Sequence, residues 1–582
     1  MAQEDRALNA GQEASVTSLM APRAAAIAAA ILCVLLYVPP AALTPFFTKG
    51  EPREALVVRS MVERGNWLLP KRASANGWTI ASKPPFFHWL GASASRIGGT
   101  PTEWTVRLPS VVLATVSVLL VGTMARESFG PTAALAAMLV LASTFEWVRA
   151  ASTARVDGTL TALMTIGMLF FYRGMMAGGL TKTEATIAYV ALACAALTKG
   201  PVGFVLPGLV LLTALAAQRE IRLLPRFRPI LGATLILAIV GGWYALAAGL
   251  GGDSFVQKQI LKENVFRFLG ATRMKSGHAH PFYYYFPTLL SGLLPWTPFV
   301  LAALVAAIRS PAARRDPRVL FPLTWFLVVF VFYSVADAKR SVYLLALYPA
   351  AALLTGWWWN EFARGAEPAR WLTGRGARIF VAILCAIAVV PLVSAAAEGF
   401  GLAPLSLLAP LLAPKDQANL PLVRGIIDAH LFLVLAGSAA MVGALLVDLR
   451  ALRRREPVRL LMAHTAFAVA VWTLIFTAFQ PELARLRTLA PFMQRAAAIA
   501  DGRPLAFYPR SFDFGAMFYA PAGTRHWKPG RHTGSGPHYL LIWDTELAGL
   551  PASDRAKLEV LEKSDGTDPR GRLHLVLVRL AS

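Results

Sequence analysis

The chain has 582 residues, of which 56% are hydrophobic and only 15% charged. Soluble domains carry about a quarter charged residues, so an ordinary soluble protein is excluded and a polytopic membrane protein is indicated. The net charge of +24 does not point to nucleic acid, because the basic residues sit mostly in short loops between apolar runs, where membrane orientation places them.

The first apolar run, at about 22–44, reads as a retained anchor rather than a cleaved leader. Twelve further candidate spans follow at about 106–125, 131–149, 156–173, 184–198, 200–217, 228–249, 285–308, 319–336, 342–358, 378–396, 428–448 and 459–478. Each is judged against the roughly 20 apolar residues that cross a bilayer. Cys33, Cys194 and Cys385 lie inside these runs, away from one another and from any His at metal spacing, so neither a disulfide framework nor a zinc site is expected.

With the N-terminus in the cytoplasm, the loops at 218–229, 309–318, 360–378 and 448–459 fall inside, and all four are dense in Arg, as the positive-inside bias requires. The opposite face then holds a first loop at 45–105, a loop at 250–284, short links at 150–155 and 337–341, and a tail from about 480. In the first loop, Pro52 suits the start of a helix. Ala55, Val58, Met61 and Val62 are spaced for a helix lying along the membrane surface, with Glu51 at its N-terminus. The tail has short β-like runs such as "HYLLIWDTELAGL" and "RLHLVLVRLAS" separated by turns. The expected organisation is a transmembrane region at 1–480 and a small C-terminal α/β domain at 481–582 outside the membrane.

Positive-inside leaves a second basic set on the other face: Lys49, Arg53, Lys83, Arg155, Lys199, Arg267, Arg273, Lys339 and Arg340. Ionisable groups at membrane depth are costly and mark functional cavities. Snorkelling to lipid phosphates explains any one of them, but a convergent set from several loops suits an anionic ligand held at headgroup depth. Two acids accompany the set. Asp157, in "TARVDGTLTAL", reads either as a helix N-cap or as a site acid, and Glu51 stands in the first loop. Cationic groups facing a departing phosphate, with a carboxylate for an incoming hydroxyl, suit a transfer reaction.

Several segments together resemble a known family. "GEPREALVVRSMVERGNWLLPKRASANGWTIASKPPFFHWLGA" is similar to the first loop of bacterial GT-C class integral-membrane glycosyltransferases, nearest to the aminoarabinose (lipid A) transferases and the protein O-mannosyltransferase-like family. "RVDGTLTAL", "LTKGPVGFVLPG", "KENVFRFL", "HAHPFYYYFPTLLSGLLPW" and "VADAKRSVYLLALYPAAALL" follow in the family's order over residues 20–360. The resemblance implies a GT-C fold of about 13 transmembrane helices. It also implies transfer of a sugar from a polyprenyl-phosphate donor, such as undecaprenyl phosphate, to a lipid, glycan or protein acceptor at the periplasmic face of the inner membrane. Carried over by position, Arg53, Lys83, Lys199, Arg267, Lys339 and Tyr343 bind the donor phosphate or sugar. Glu51, Asp157 and Glu54 are the catalytic acids, and Trp89, Phe282 to Tyr285 and Trp296 line either the lipid tail or an aromatic belt.

Three positions depart from the family pattern. Gly50 stands where an Asp is usual, Glu54 where a Tyr is usual, and Ser82 where the aminoarabinose branch has an acid. No metal site is assigned; His278 and His280 form a lone i, i+2 pair that needs an acid from another loop, and a divalent cation is left open. Two further readings stand beside the transferase: a flippase for an anionic lipid, disfavoured because the charges gather at one face, and a non-catalytic polyprenyl-phosphate-binding relative.

Overall fold

In the computed structural model, the residues described are 22–580 apart from 76, 260, 262–279, 337, 367–374, 400–409, 411–416, 418–419, 528–538 and 566–573. Among them, eight helices are long and apolar enough to cross a membrane, and ten if each of two sharply bent pairs counts as one span. All thirteen runs read from the sequence fall on helices. Lys182–Lys199, Val202–Ala217 and Arg375–Gly399 do not qualify as spans by themselves, so the count of crossings is coarser than thirteen.

The bent pairs have a physical origin. Pro131–Ser143 and Phe145–Ala151 meet at 66°, and Tyr285–Gly292 and Thr297–Arg309 at 115°. Broken helices free backbone groups that must find partners inside a membrane protein. Here the two breaks supply each other. The Phe145 N–H donates to the Leu294 carbonyl at 2.8 Å, and the Trp296 indole donates to the Ser143 hydroxyl at 2.9 Å. Trp472 adds a 3.0 Å bond to the Ser143 carbonyl. Trp296 is fully buried against Phe299, Trp359 and His464, so it is a core residue and not part of a lipid-facing wall.

Close packing also shapes the "TKGP" turn. Gly200 sits at φ +110°, a region that favours glycine, and turns the chain from Lys182–Lys199 into Val202–Ala217. A Cβ on Gly203 would lie 2.4 Å from the Ala196 nitrogen, a backbone contact that cannot yield. Small residues permit such approach between membrane helices.

The first loop folds as the helix Glu51–Arg64, a hairpin of β1 (Lys71–Ser74) and β2 (Gly77–Ile80), and the helix Phe86–Ile97. The first helix ends in a left-handed cap at Gly65, φ +69°. Its apolar positions have a protein partner: Ala55, Leu56, Val57, Val58 and Met61 are all buried in one cluster with Phe46, Phe87, Val106 and Phe518. The helix is covered on several faces, in part by the tail.

The tail carries a mixed five-stranded sheet in the order β4-β3-β5-β7-β6, with β3 Leu505–Phe507, β4 Arg525–His526, β5 Tyr539–Trp543, β6 Leu558–Lys563 and β7 Leu575–Leu580. β3 runs parallel to β4 and β5, while β7 is antiparallel to β5 and β6. The helix Ala490–Ala500 packs Phe492, Met493 and Ala496 against one sheet face. The short helix Phe514–Tyr519 reaches from this unit into the first-loop cluster.

Gly203→Ala is expected to lower the unfolding temperature of the purified protein and its folded yield, because the added methyl forces two helix backbones apart. Wild-type thermal unfolding in detergent would contradict the tight crossing.

Candidate active site

Asp157 occupies the first turn of Val156–Ala177 and is 6% exposed. Lys199, at the end of Lys182–Lys199, donates to its Oδ1 at 2.6 Å, while Arg155 Nε lies 3.7 Å from Oδ2. Arg340 acts on the same carboxylate through space. The Lys199 ammonium also lies 4.2 Å from the centre of the Tyr343 ring, a cation–π contact, and Tyr343 packs 5.3 Å from Tyr333. The Tyr285 hydroxyl fixes the backbone of Arg340, accepting its N–H at 3.1 Å and donating to its carbonyl at 3.3 Å.

The charge balance of this cup is uneven: three cations, Arg155, Lys199 and Arg340, face one carboxylate. Among the described residues neither the Arg155 nor the Arg340 guanidinium makes a hydrogen bond, although Arg155's side chain is only 19% exposed. Desolvated guanidinium groups without hydrogen bonds are costly, and their planar fork matches a phosphate. Beside them, Arg149 pairs with the buried Glu146 and reaches Ser341 at 3.4 Å.

Glu51 is fully buried and its acceptor positions are filled. Oε1 accepts from Arg107 Nε at 2.7 Å and the Ala154 N–H at 2.9 Å. Oε2 accepts from Arg107 Nη2 at 3.2 Å and Thr48 at 3.1 Å. A carboxylate has about four lone-pair positions, so Glu51 ties the first loop to the spans and leaves none for an acceptor. Arg107 is completed by the Ala41 and Thr44 carbonyls at 3.1 and 2.5 Å.

Glu54 is likewise engaged: Arg53 donates to Oε1 at 2.8 and 3.0 Å, and His88 Nε2 lies 2.9 Å from Oε2. Burial opposes ionisation of Glu54, but the His88 hydrogen bond and the Arg53 charge outweigh it and hold the carboxyl well below the usual range. Lys339 is buried and donates to the Ala336 carbonyl at 2.7 Å, capping the end of Pro317–Val335. Lys83 is half-buried in the link after β2. Arg267, Arg273 and His278 lie outside the described residues, and His280 stacks on Tyr284 at 4.1 Å.

The structure thus unites Asp157, Lys199 and Tyr343 with Arg155 and Arg340, and places Glu51, Glu54 and Arg53 in neighbouring closed pairs. Arg107, Glu146, Arg149, His88 and Tyr333 were not singled out from the sequence. Arg107 had a readable signal, a charge at the mouth of an apolar run. Gly50 lies against Arg155: a Cβ there would be 3.1 Å from Arg155 Nη1.

The fold and the sequence are those to which GT-C glycosyltransferases of the aminoarabinose transferase type are similar. The fold is shared with ArnT from Cupriavidus metallidurans, crystallised with undecaprenyl phosphate, at a TM-score of 0.72 and 21% identity over 95% of this chain and 97% of that one. A family model described as dolichyl-phosphate-mannose-protein mannosyltransferase matches residues 82–244. Among curated relatives, the undecaprenyl phosphate-alpha-4-amino-4-deoxy-L-arabinose arabinosyl transferase 2 of Proteus mirabilis is 27% identical over 64% of this chain and 66% of its own length. The corresponding transferase of Pectobacterium atrosepticum is 30% identical over 57% of this chain and 58% of its own length. The chain therefore spans less than two thirds of the length of these relatives.

Arg107→Leu strands the Glu51 carboxylate in a buried site, at a cost of about 3–5 kcal/mol. The double variant Glu51→Leu/Arg107→Leu is expected to unfold at a higher temperature than the single one. A single variant as stable as wild type would contradict the pairing.

Proposed function

We propose that this chain transfers a sugar from a polyprenyl-phosphate donor to an acceptor in the bacterial inner membrane, with the active site on the periplasmic side. The observation that carries the reading is the cup itself: two guanidinium groups without hydrogen bonds among the described residues and one shared lysine around a single carboxylate. Its surplus of two positive charges complements a phosphate that gains charge as its bond to the sugar breaks. The names of the curated relatives, arabinosyl transferases acting with undecaprenyl phosphate, support the donor class.

The acceptor oxygen attacks the anomeric carbon, and the bond from that carbon to the phosphate oxygen breaks. Polyprenyl phosphate leaves with the electron pair, in one displacement that inverts the sugar. Arg155, Arg340 and Lys199 receive the leaving phosphate. Asp157 takes the role of orienting the acceptor and receiving its proton, because Glu51 and Glu54 are committed to Arg107, Arg53 and His88. This moves the acceptor role away from Glu51. The acceptor is an envelope lipid such as lipid A, a glycan or a protein. The thirteen-span count and a separate α/β domain outside the membrane belong to the same proposal.

Turnover of a polyprenyl-phosphate sugar by the reconstituted protein tests the reading. Asp157→Asn is expected to lower the rate at least about a hundredfold, the span of general-base contributions. Arg155→Ala or Arg340→Ala is expected to weaken donor use by about 10–100-fold, as the loss of charge-assisted bonds predicts. Wild-type turnover in all three would overturn the assignment. Gly50→Asp brings a carboxylate against Arg155 and is expected to raise the donor KM about tenfold by spending that guanidinium on an internal pair; an unchanged or lower KM would show that Arg155 does not meet the donor.

A further inference from the structure

The tail beyond residue 480 contributes none of the cup's residues, yet one of its side chains is built into the support of that cup. Tyr519 ends the short helix Phe514–Tyr519, which Asp513 caps by accepting from the Gly515 and Ala516 N–H groups at 2.7 and 3.2 Å. Its phenol accepts from the Phe46 N–H at 2.8 Å and donates to the Glu103 carboxylate at 2.6 Å. Phe46 is 2% exposed, so its N–H would be left without a partner if the phenol were removed, a costly state for a buried donor.

Both partners of Tyr519 lead directly to the Glu51–Arg107 pair. The Phe46 ring lies edge-on to Phe518 at 5.0 Å and under the Arg107 guanidinium at 4.8 Å. Glu103 begins the helix Glu103–Phe129 that carries Arg107, four residues on and therefore on the same side of the helix. Arg107 holds Glu51, and Glu51 holds the Ala154 N–H, the residue before Arg155. The same segment is fixed a second time by Arg59, whose Nη1 donates to the Met517, Phe518 and Ala520 carbonyls at 3.3, 2.9 and 3.1 Å.

We infer that the C-terminal unit braces the active site, and that Tyr519 is the positioning residue through which it sets Arg107, Glu51 and, behind them, Arg155. Tyr519 touches no reacting atom; it aligns the groups that do. Burial first, then the neighbouring Glu103 carboxylate, pushes the phenol well above its ordinary range, so the proton donated to Glu103 stays in place. The catalytic part of the inference rests on the transferase reading above; the brace itself does not.

The test uses the full-length protein in lipid nanodiscs and the isosteric Tyr519→Phe, which removes both hydrogen bonds and keeps the ring. Amide hydrogen exchange is expected to accelerate at residues 46–51 and 103–107. The turnover number is expected to fall about tenfold, as displaced catalytic groups predict, and the donor KM to rise severalfold through Arg155, while the unfolding temperature stays near wild type. Phe46→Leu and the double variant complete a cycle in which the two losses are expected not to add, since both cut one chain of contacts. Unchanged exchange overturns the brace. Unchanged turnover with faster exchange overturns the positioning role, and so does a fall in turnover accompanied by collapse of thermal stability. If wild-type protein turns over no polyprenyl-phosphate sugar, the transferase reading fails, and the exchange data still decide the brace.

Discussion

A buried arginine bonded through all three of its guanidinium nitrogens organises the hydrophilic end of this protein. Arg107 and Glu51 are both essentially without solvent, and taking two such charges out of water is repaid only when geometry is complete. Here the match is close: the guanidinium meets both carboxylate oxygens and three backbone carbonyls, and the carboxylate takes two more donors. The bonds join four separate pieces of chain. These are the end of the first span, the first-loop helix, the helix Glu103–Phe129 and the link before Asp157. Such a pair contributes definition more than stability, since only one arrangement of the four pieces satisfies it.

That definition explains a division among the acids. Glu51, Glu54 and Glu146 each have an arginine of their own, Arg107, Arg53 and Arg149. Asp157 has none of its own; it is shared by Lys199, Arg155 and Arg340. A carboxylate matched to its own arginine is spent on structure, whereas one acid among several cations leaves charge over for a ligand. The vacancy at Gly50 fits the same logic. With no side chain at 50, the Arg155 guanidinium occupies space next to the backbone and is not neutralised from that side.

Much of this was legible in the sequence, and the misses have physical causes. The apolar runs located the helices, but hydropathy measures composition over a window and does not see a bend, so the pairs that fold back at Thr144 and Leu293–Trp296 look like ordinary spans. The basic set and the "RVDG", "TKG" and "KRSVY" segments led to Asp157, Lys199, Arg340 and Tyr343, because charges at membrane depth need a reason. Glu51 was read as a reacting group without sight of Arg107: that counter-ion is 56 residues away in sequence, and local context cannot reveal a partner at that distance. The apolar face of the first-loop helix was legible, but part of its cover, Phe518, lies far along the chain. Lys339, read as a phosphate ligand, also donates to the Ala336 carbonyl at the end of Pro317–Val335, a bond the sequence does not announce.

The most direct measurement is an experimental structure of this protein with polyprenyl phosphate bound. The account predicts phosphate oxygens within hydrogen-bonding distance of the Arg155 and Arg340 guanidinium groups and of Lys199, with the Glu51–Arg107 pair intact beneath them. A phosphate held elsewhere, out of reach of Arg155 and Arg340, would contradict it.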